Sequence, residues 1–238
     1  MSVIANTLRT AAAFVLLITV VVSVHEFAHL LAALAFGATV EGFSIGFGPE
    51  LFGFNAGGIH WQVSAIPLGG YVSFPMEAGA GVVLLESLSA AAKIDIMLAG
   101  VAANALLAAV IAWVLRARYK NTAAYTMPLN MNGFLIVPFV RNAGVTFKAG
   151  QRYFWWFVAS TSIDLMLFNA LFIWPLDGGK IYATLVTEVF GLQMSMGMMF
   201  VSGLVLSLFV LLPLYYKAFK PLLAYVCHVS VVNEQHTP

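Results

Sequence analysis

Four apolar stretches, each about 20 residues or longer, restrict what this chain can fold into. A helix needs about 20 residues to cross a hydrocarbon core, and the runs 11–36, 94–115, 153–174 and 194–216 all have that length. Lipid offers no partner for backbone N–H and C=O groups, so runs of this kind span as helices. Of the 238 residues, 61% are hydrophobic and only 9% are Asp, Glu, Lys or Arg, whereas a soluble domain has roughly 25% charged residues. So few charges could not cover the surface of a soluble core. The expectation is one integral membrane domain over 1–238, multi-pass, an all-α bundle of about four transmembrane helices. A further apolar piece, 222–232, is too short to span and is expected at the interface. Arg9 precedes the first run much as a signal peptide begins, but no small-residue cleavage site follows, so the run is expected to stay in the protein. Cys227 is the one cysteine, which excludes a disulfide scaffold. A net charge of +1 gives no electrostatic reason to expect nucleic acid.

The segment 38–76 does not read as a spanning helix. Glycines 42, 46, 48, 53, 57, 58, 69 and 70, with Pro49 and Pro67, interrupt it. Ile59 to Ile66 and Phe43 to Phe47 alternate apolar with smaller or more polar residues, as strands do. Two or more short strands, packed at the membrane surface or dipping into it, are expected between the first and second helices.

His25-Glu26-Phe27-Ala28-His29 lies inside the first apolar run. On a helix, residues i and i+4 share a face, so both imidazoles can reach one Zn²⁺, with Glu26 beside them to take a proton from water. Three ionisable groups in one membrane helix are expensive, at roughly 2.5 kcal/mol or more each if they face lipid. The alternative is a polar seam that only holds helices together. A catalytic zinc usually has three protein ligands and an open position. His60, His228 and His236 are available but read as interfacial or tail residues. Asp177 stands where the third run breaks at Pro175 and the Gly178-Gly179 pair, and a broken helix at membrane depth marks a binding site. Its competing role is to cap the helix that follows. Asp164, also in the third run, reads as a helix–helix contact or as part of a water path.

These residues together resemble a family. His25-Glu26-x-x-His29 in a first membrane helix, with Asn169 and Leu176-Asp177-Gly178-Gly179 in a later one, is similar to the site-2 protease family of intramembrane zinc metalloproteases. Val40 to Gly48, Ile66 to Val72 and Leu98 to Asn104 resemble the bacterial branch that includes the regulator of sigma-E protease. The resemblance implies one Zn²⁺ held by His25, His29 and Asp177, with Glu26 as general base. It implies that Asn169 holds the substrate strand or the developing oxyanion and that Asn104 supports the same cavity. It also implies a bacterial inner-membrane location and, as substrate, a transmembrane protein or a signal-peptide remnant. Two departures stand out. Phe172-Ile173-Trp174 precede a lone Pro175 where relatives carry more prolines, and Val101 replaces a proline near Asn104. About 37 residues separate Arg116 from Arg152, roughly half of what a PDZ domain needs, so none is expected there.

Two other functions compete with peptide hydrolysis. A catalytically silent zinc-binding membrane module that retains client proteins would not need Glu26, and a metal transporter would need a second ligand set. Any adaptor or oligomeric partner is unspecified by the sequence. With four spans, the N-terminus, the loop after the second span and the C-terminal tail share one side. That side carries Arg9, Arg116, Arg118, Lys120, Arg141, Lys148, Arg152, Lys217 and Lys220, against Lys93 and Lys180 on the other. The positive-inside rule then puts the N-terminus in the cytoplasm, opposite to the arrangement the resemblance implies.

Overall fold

The computed structural model describes residues 3–118, 151–191 and 195–208. In chain order these form helix α1 (Val3–Ala35), strands β1 (Gly42–Ala56) and β2 (Ile59–Ser73), a 3-10 turn at Leu85–Ser87, and helices α2 (Ala90–Arg118), α3 (Gln151–Asn169), α4 (Asp177–Phe190) and α5 (Met196–Leu206). Among the described residues, two helices are long and apolar enough to cross a membrane: Ala11–Ala35 and Ala90–Leu115, with mean hydropathies of 2.1 and 2.2. Only 17% and 22% of their most apolar windows are buried, whereas the core helix of a soluble protein is mostly buried. Leu16, Leu31, Leu106 and Trp113 therefore lie exposed on the outside of the bundle, the distribution that acyl chains favour and water does not.

What is buried runs in stripes. Leu17, Val21, His25, His29 and Ala33 are all buried on α1, and their four-residue spacing puts them on one face. On α2, Ile96, Asn104, Ala108, Ile111 and Leu115 form the facing stripe. Towards one end, Leu17 and Val21 pack with Ala108, Ile111 and Leu115 and with Val158 and Ala159 of α3. Towards the other, Leu30 and Ala33 pack with Phe43, Ile59, Ile96 and Ile181 of the sheet, α2 and α4. The polar residues of α1 are thus clamped between two apolar clusters.

The region between α1 and α2 is a sheet of two antiparallel strands. Gly57 and Gly58, with φ of 65° and 78°, form the two-residue turn between them; both positions need a left-handed backbone, which glycine adopts without a Cβ clash. Short strands were expected, but each is 15 residues long, because the glycines bend the strands instead of ending them. Phe52–Ala56 pairs with Val63–Ile59, while Gly42–Ile45 pairs with Ser73–Gly70 and also lies alongside His60–Val63. The far end of β2 runs along α1. Thr19 Oγ1, which donates to Val15 O at 2.8 Å, lies 3.4 Å from Pro67 O, and Gly70 lies against Glu26 and Val22.

The third apolar run was expected to stay helical to Trp174, yet α3 ends at Asn169. Pro175 has no N–H and disfavours helical geometry in the residue before it, and the Phe172 N–H is taken by Ser207 Oγ at 3.0 Å. A separate 14-residue helix, α4, then begins at Asp177. Most of the 116–152 segment, residues 209–216 of the last span, the 222–232 piece, Cys227, His228 and His236 lie outside the described residues.

Candidate metal centre

The buried stripe of α1 turns polar for one helical turn, and α4 begins opposite it. His25, His29 and Asp177 are 3%, 6% and 5% exposed. Asp177 Oδ2 lies 2.9 Å from His25 Nε2 and 3.1 Å from His29 Nε2, and the two Nε2 atoms are 3.1 Å apart. The two imidazole rings meet edge to face, with centroids 4.6 Å apart. Three donor atoms at such spacing outline one face of a coordination tetrahedron, whose edge is about 3.3 Å for metal–ligand bonds of about 2.0 Å. The protonation pattern agrees. His29 Nδ1 donates to Ile96 O at 2.7 Å, so in a neutral ring its Nε2 presents a lone pair. Two imidazole nitrogens and a carboxylate thus converge, and these donors suit zinc.

Asp177 does not cap α4. The cap position is Leu176, with no side-chain cap bond, and Asp177 is the first helical residue. Its other oxygen, Oδ1, lies 3.6 Å from Lys180 Nζ one turn along. Gly178 and Gly179 follow because the preceding chain crosses directly above them: a Cβ on Gly178 would come within 2.6 Å of Ala170 O, and one on Gly179 within 2.6 Å of Trp174 N.

The sequence pattern of peptidase family M50 matches residues 13–212, which takes in most of α1, the sheet and every residue of this cluster. The chain belongs to peptidase family M50, the family of the site-2 proteases. Segments of this M50 chain are also similar to individual relatives. It is 54% identical over 68 residues to a protein of Mesorhizobium japonicum provisionally named a zinc metalloprotease, covering 28% of this chain and 18% of the relative. It is 56% identical over 62 residues to a similarly named protein of Brucella suis, covering 26% and 16%. It is 48% identical over 64 residues to Metalloprotease MmpA of Caulobacter vibrioides, again covering 26% and 16%. Each match spans less than a fifth of the relative's own length.

The remaining candidates of this M50 chain fall in different places. Glu26 sits one residue after His25, half buried, with its Cγ against Gly70 of β2. Asn104 is fully buried on α2 and contacts the back of His25, with Nδ2 3.1 Å from Nδ1. Asn169 is the last residue of α3, and among the described residues no hydrogen bond joins it to the cluster. Asp164 is half buried within α3. His60 lies on the sheet, bonded to Glu50 Oε2 at 2.7 Å and Asn55 Oδ1 at 2.9 Å. One residue given no role from the sequence closes the site from behind. A Cβ on Gly100 would come within 2.7 Å of His25 Cε1 and would strike His29 Nε2, so only glycine lets α2 approach the pair so closely. Its sequence signal is its place four residues after Ile96 and four before Asn104, in the stripe facing α1.

Proposed function

We propose that this chain is a zinc-dependent intramembrane endopeptidase that hydrolyses peptide bonds within or near the transmembrane segments of other membrane proteins. The observation that carries this reading is the convergence of His25, His29 and Asp177 on one point, with Glu26 one residue from the first of them. In this reading those three residues hold one Zn²⁺, which when bound polarises the scissile carbonyl and acidifies water. Glu26 takes a proton from the attacking water and returns it to the leaving amine, a role that contributes typically 10²- to 10⁴-fold. Asn169, at the break that leads to Asp177, contacts the substrate backbone or its developing oxyanion. A substrate helix hides its carbonyls in its own hydrogen bonds and must be unwound first. Residues 66–73 of β2 have β1 on one side only and run beside Glu26, so their other edge can add an extended substrate segment as a strand. The chain is a single domain of four spans in a bacterial inner membrane, and its substrates are membrane proteins or signal-peptide remnants.

The test uses detergent-purified protein and a model membrane-helix substrate. Glu26→Gln is expected to keep its zinc and lose at least about 100-fold in cleavage rate. Equal cleavage by both forms would overturn the base assignment. A zinc-loaded wild-type protein that binds the substrate without cutting it would replace the protease reading by that of a silent retention module.

A further inference from the structure

We propose that Asn104 is a positioning residue for His25: its side-chain oxygen accepts the Nδ1 proton and so turns the Nε2 lone pair towards the metal. This inference rests on the metal site proposed above. Asn104 has 0% exposure, and its amide meets only one polar group of the cluster, His25 Nδ1, at 3.1 Å from Nδ2. The Oδ1 of the same amide is buried without a hydrogen-bond partner.

A neutral imidazole carries a single N–H, so this contact can be satisfied in two ways. If Nδ2–H donates to a bare Nδ1, the ring proton sits on Nε2, which then cannot bind a metal, and Oδ1 stays orphaned. If the amide is turned over about its last side-chain bond, Oδ1 accepts from Nδ1–H and Nε2 is bare. The two amide orientations place nearly identical atoms in the same volume. Only the second agrees with a metal on Nε2, and it places the amide NH2 where the unpartnered atom now lies. The neighbouring histidine supports this choice, because His29 Nδ1 already donates to a carbonyl of the same helix, Ile96 O, at 2.7 Å. One stripe of α2 therefore supplies both outer acceptors, Ile96 O and Asn104 Oδ1, with Gly100 between them making room for the rings. Metal-bound histidines commonly have such a partner on the far ring nitrogen, and its loss typically weakens metal binding 10- to 100-fold.

The experiment measures zinc dissociation constants by chelator competition on the detergent-purified full chain, in the Glu26→Gln background to prevent self-cleavage. Asn104→Leu keeps the volume and removes the acceptor, and zinc should bind about 10- to 100-fold more weakly. Asn104→Ala repeats the loss with a smaller side chain, in case the leucine form does not fold. Asn104→Asp keeps an acceptor and discards the donor, and it should bind zinc at least as tightly as the parent. Unchanged affinity in the leucine and alanine forms would overturn the proposal, as would a loss in the aspartate form equal to theirs. Asp177→Asn separates the two readings. If it binds zinc as tightly as the parent, or if the parent binds none, the metal site itself fails, and the role of Asn104 fails with it.

Discussion

Gly100 is the residue whose replacement tests the site most narrowly. A methyl group there would strike His29 Nε2 and press on His25 Cε1, but it would not disturb the apolar clusters on either side. Gly100→Ala is therefore expected to leave the helical content intact, since alanine favours a helix by about 1 kcal/mol over glycine. Zinc content should nevertheless fall by more than about 10-fold, the lower bound for an outer-partner defect. Metal analysis of the purified variant beside its circular dichroism spectrum checks both halves, and full zinc occupancy would show that the rings have another way to face each other. The histidines and Glu26 were legible in the sequence because their relation is local: four residues is one helical turn whatever the rest of the chain does. Asp177 was legible from the break around it. The resemblance put Asn104 at the same cavity, but its contact with His25 was not legible, because it depends on which face of α2 meets α1, and two apolar helices carry no amphipathic stripe to reveal that face.

At the scale of elements, the turn between α3 and α4 is held by α5. Ser207 Oγ takes the Phe172 N–H, Tyr182 OH donates to Ser202 Oγ at 3.2 Å, and the rings of Phe172 and Tyr182 stack with centroids 5.9 Å apart. Gly203, one turn before Ser207, lets α5 touch the Phe172 carbonyl, where any Cβ would collide. Apolar contact between helices gains little over contact with lipid, so close packing and hydrogen bonds of this kind decide how such elements fit. Gly203→Ala should push the turn away and destabilise the fold by about 1–3 kcal/mol, the usual effect of overpacking. Ser207→Ala should cost about 0.5–1.5 kcal/mol. Thermal unfolding ranks the two, and the reverse order would mean that α5 yields more easily than the turn. The sequence pointed to the break but placed it later than Asn169, since hydropathy continues through Phe172, Ile173 and Trp174 while the backbone has already left the helix. The strands were expected to be shorter for the opposite reason: glycines that look like stops act here as bends.

For the molecule as a whole, the four-span reading proposed above makes charge the guide to its orientation. The basic residues after Leu115 and before the third helix outnumber those on the other face, so the N-terminus is expected in the cytoplasm. With Cys227→Ser and Ser2→Cys, intact cells treated with a membrane-impermeant maleimide should show no label until they are permeabilised. Labelling of intact cells would establish the opposite orientation. The arrangement of the cluster has a further consequence for a chain that is still being made. His25 and Asp177 stand 152 positions apart, and the N-terminal part of a protein is synthesised and begins folding first. A half-built copy in the membrane therefore carries both histidines and Glu26 but lacks the carboxylate that completes the set. On the zinc reading proposed above, such a copy cannot complete its ligand set until α4 has been made.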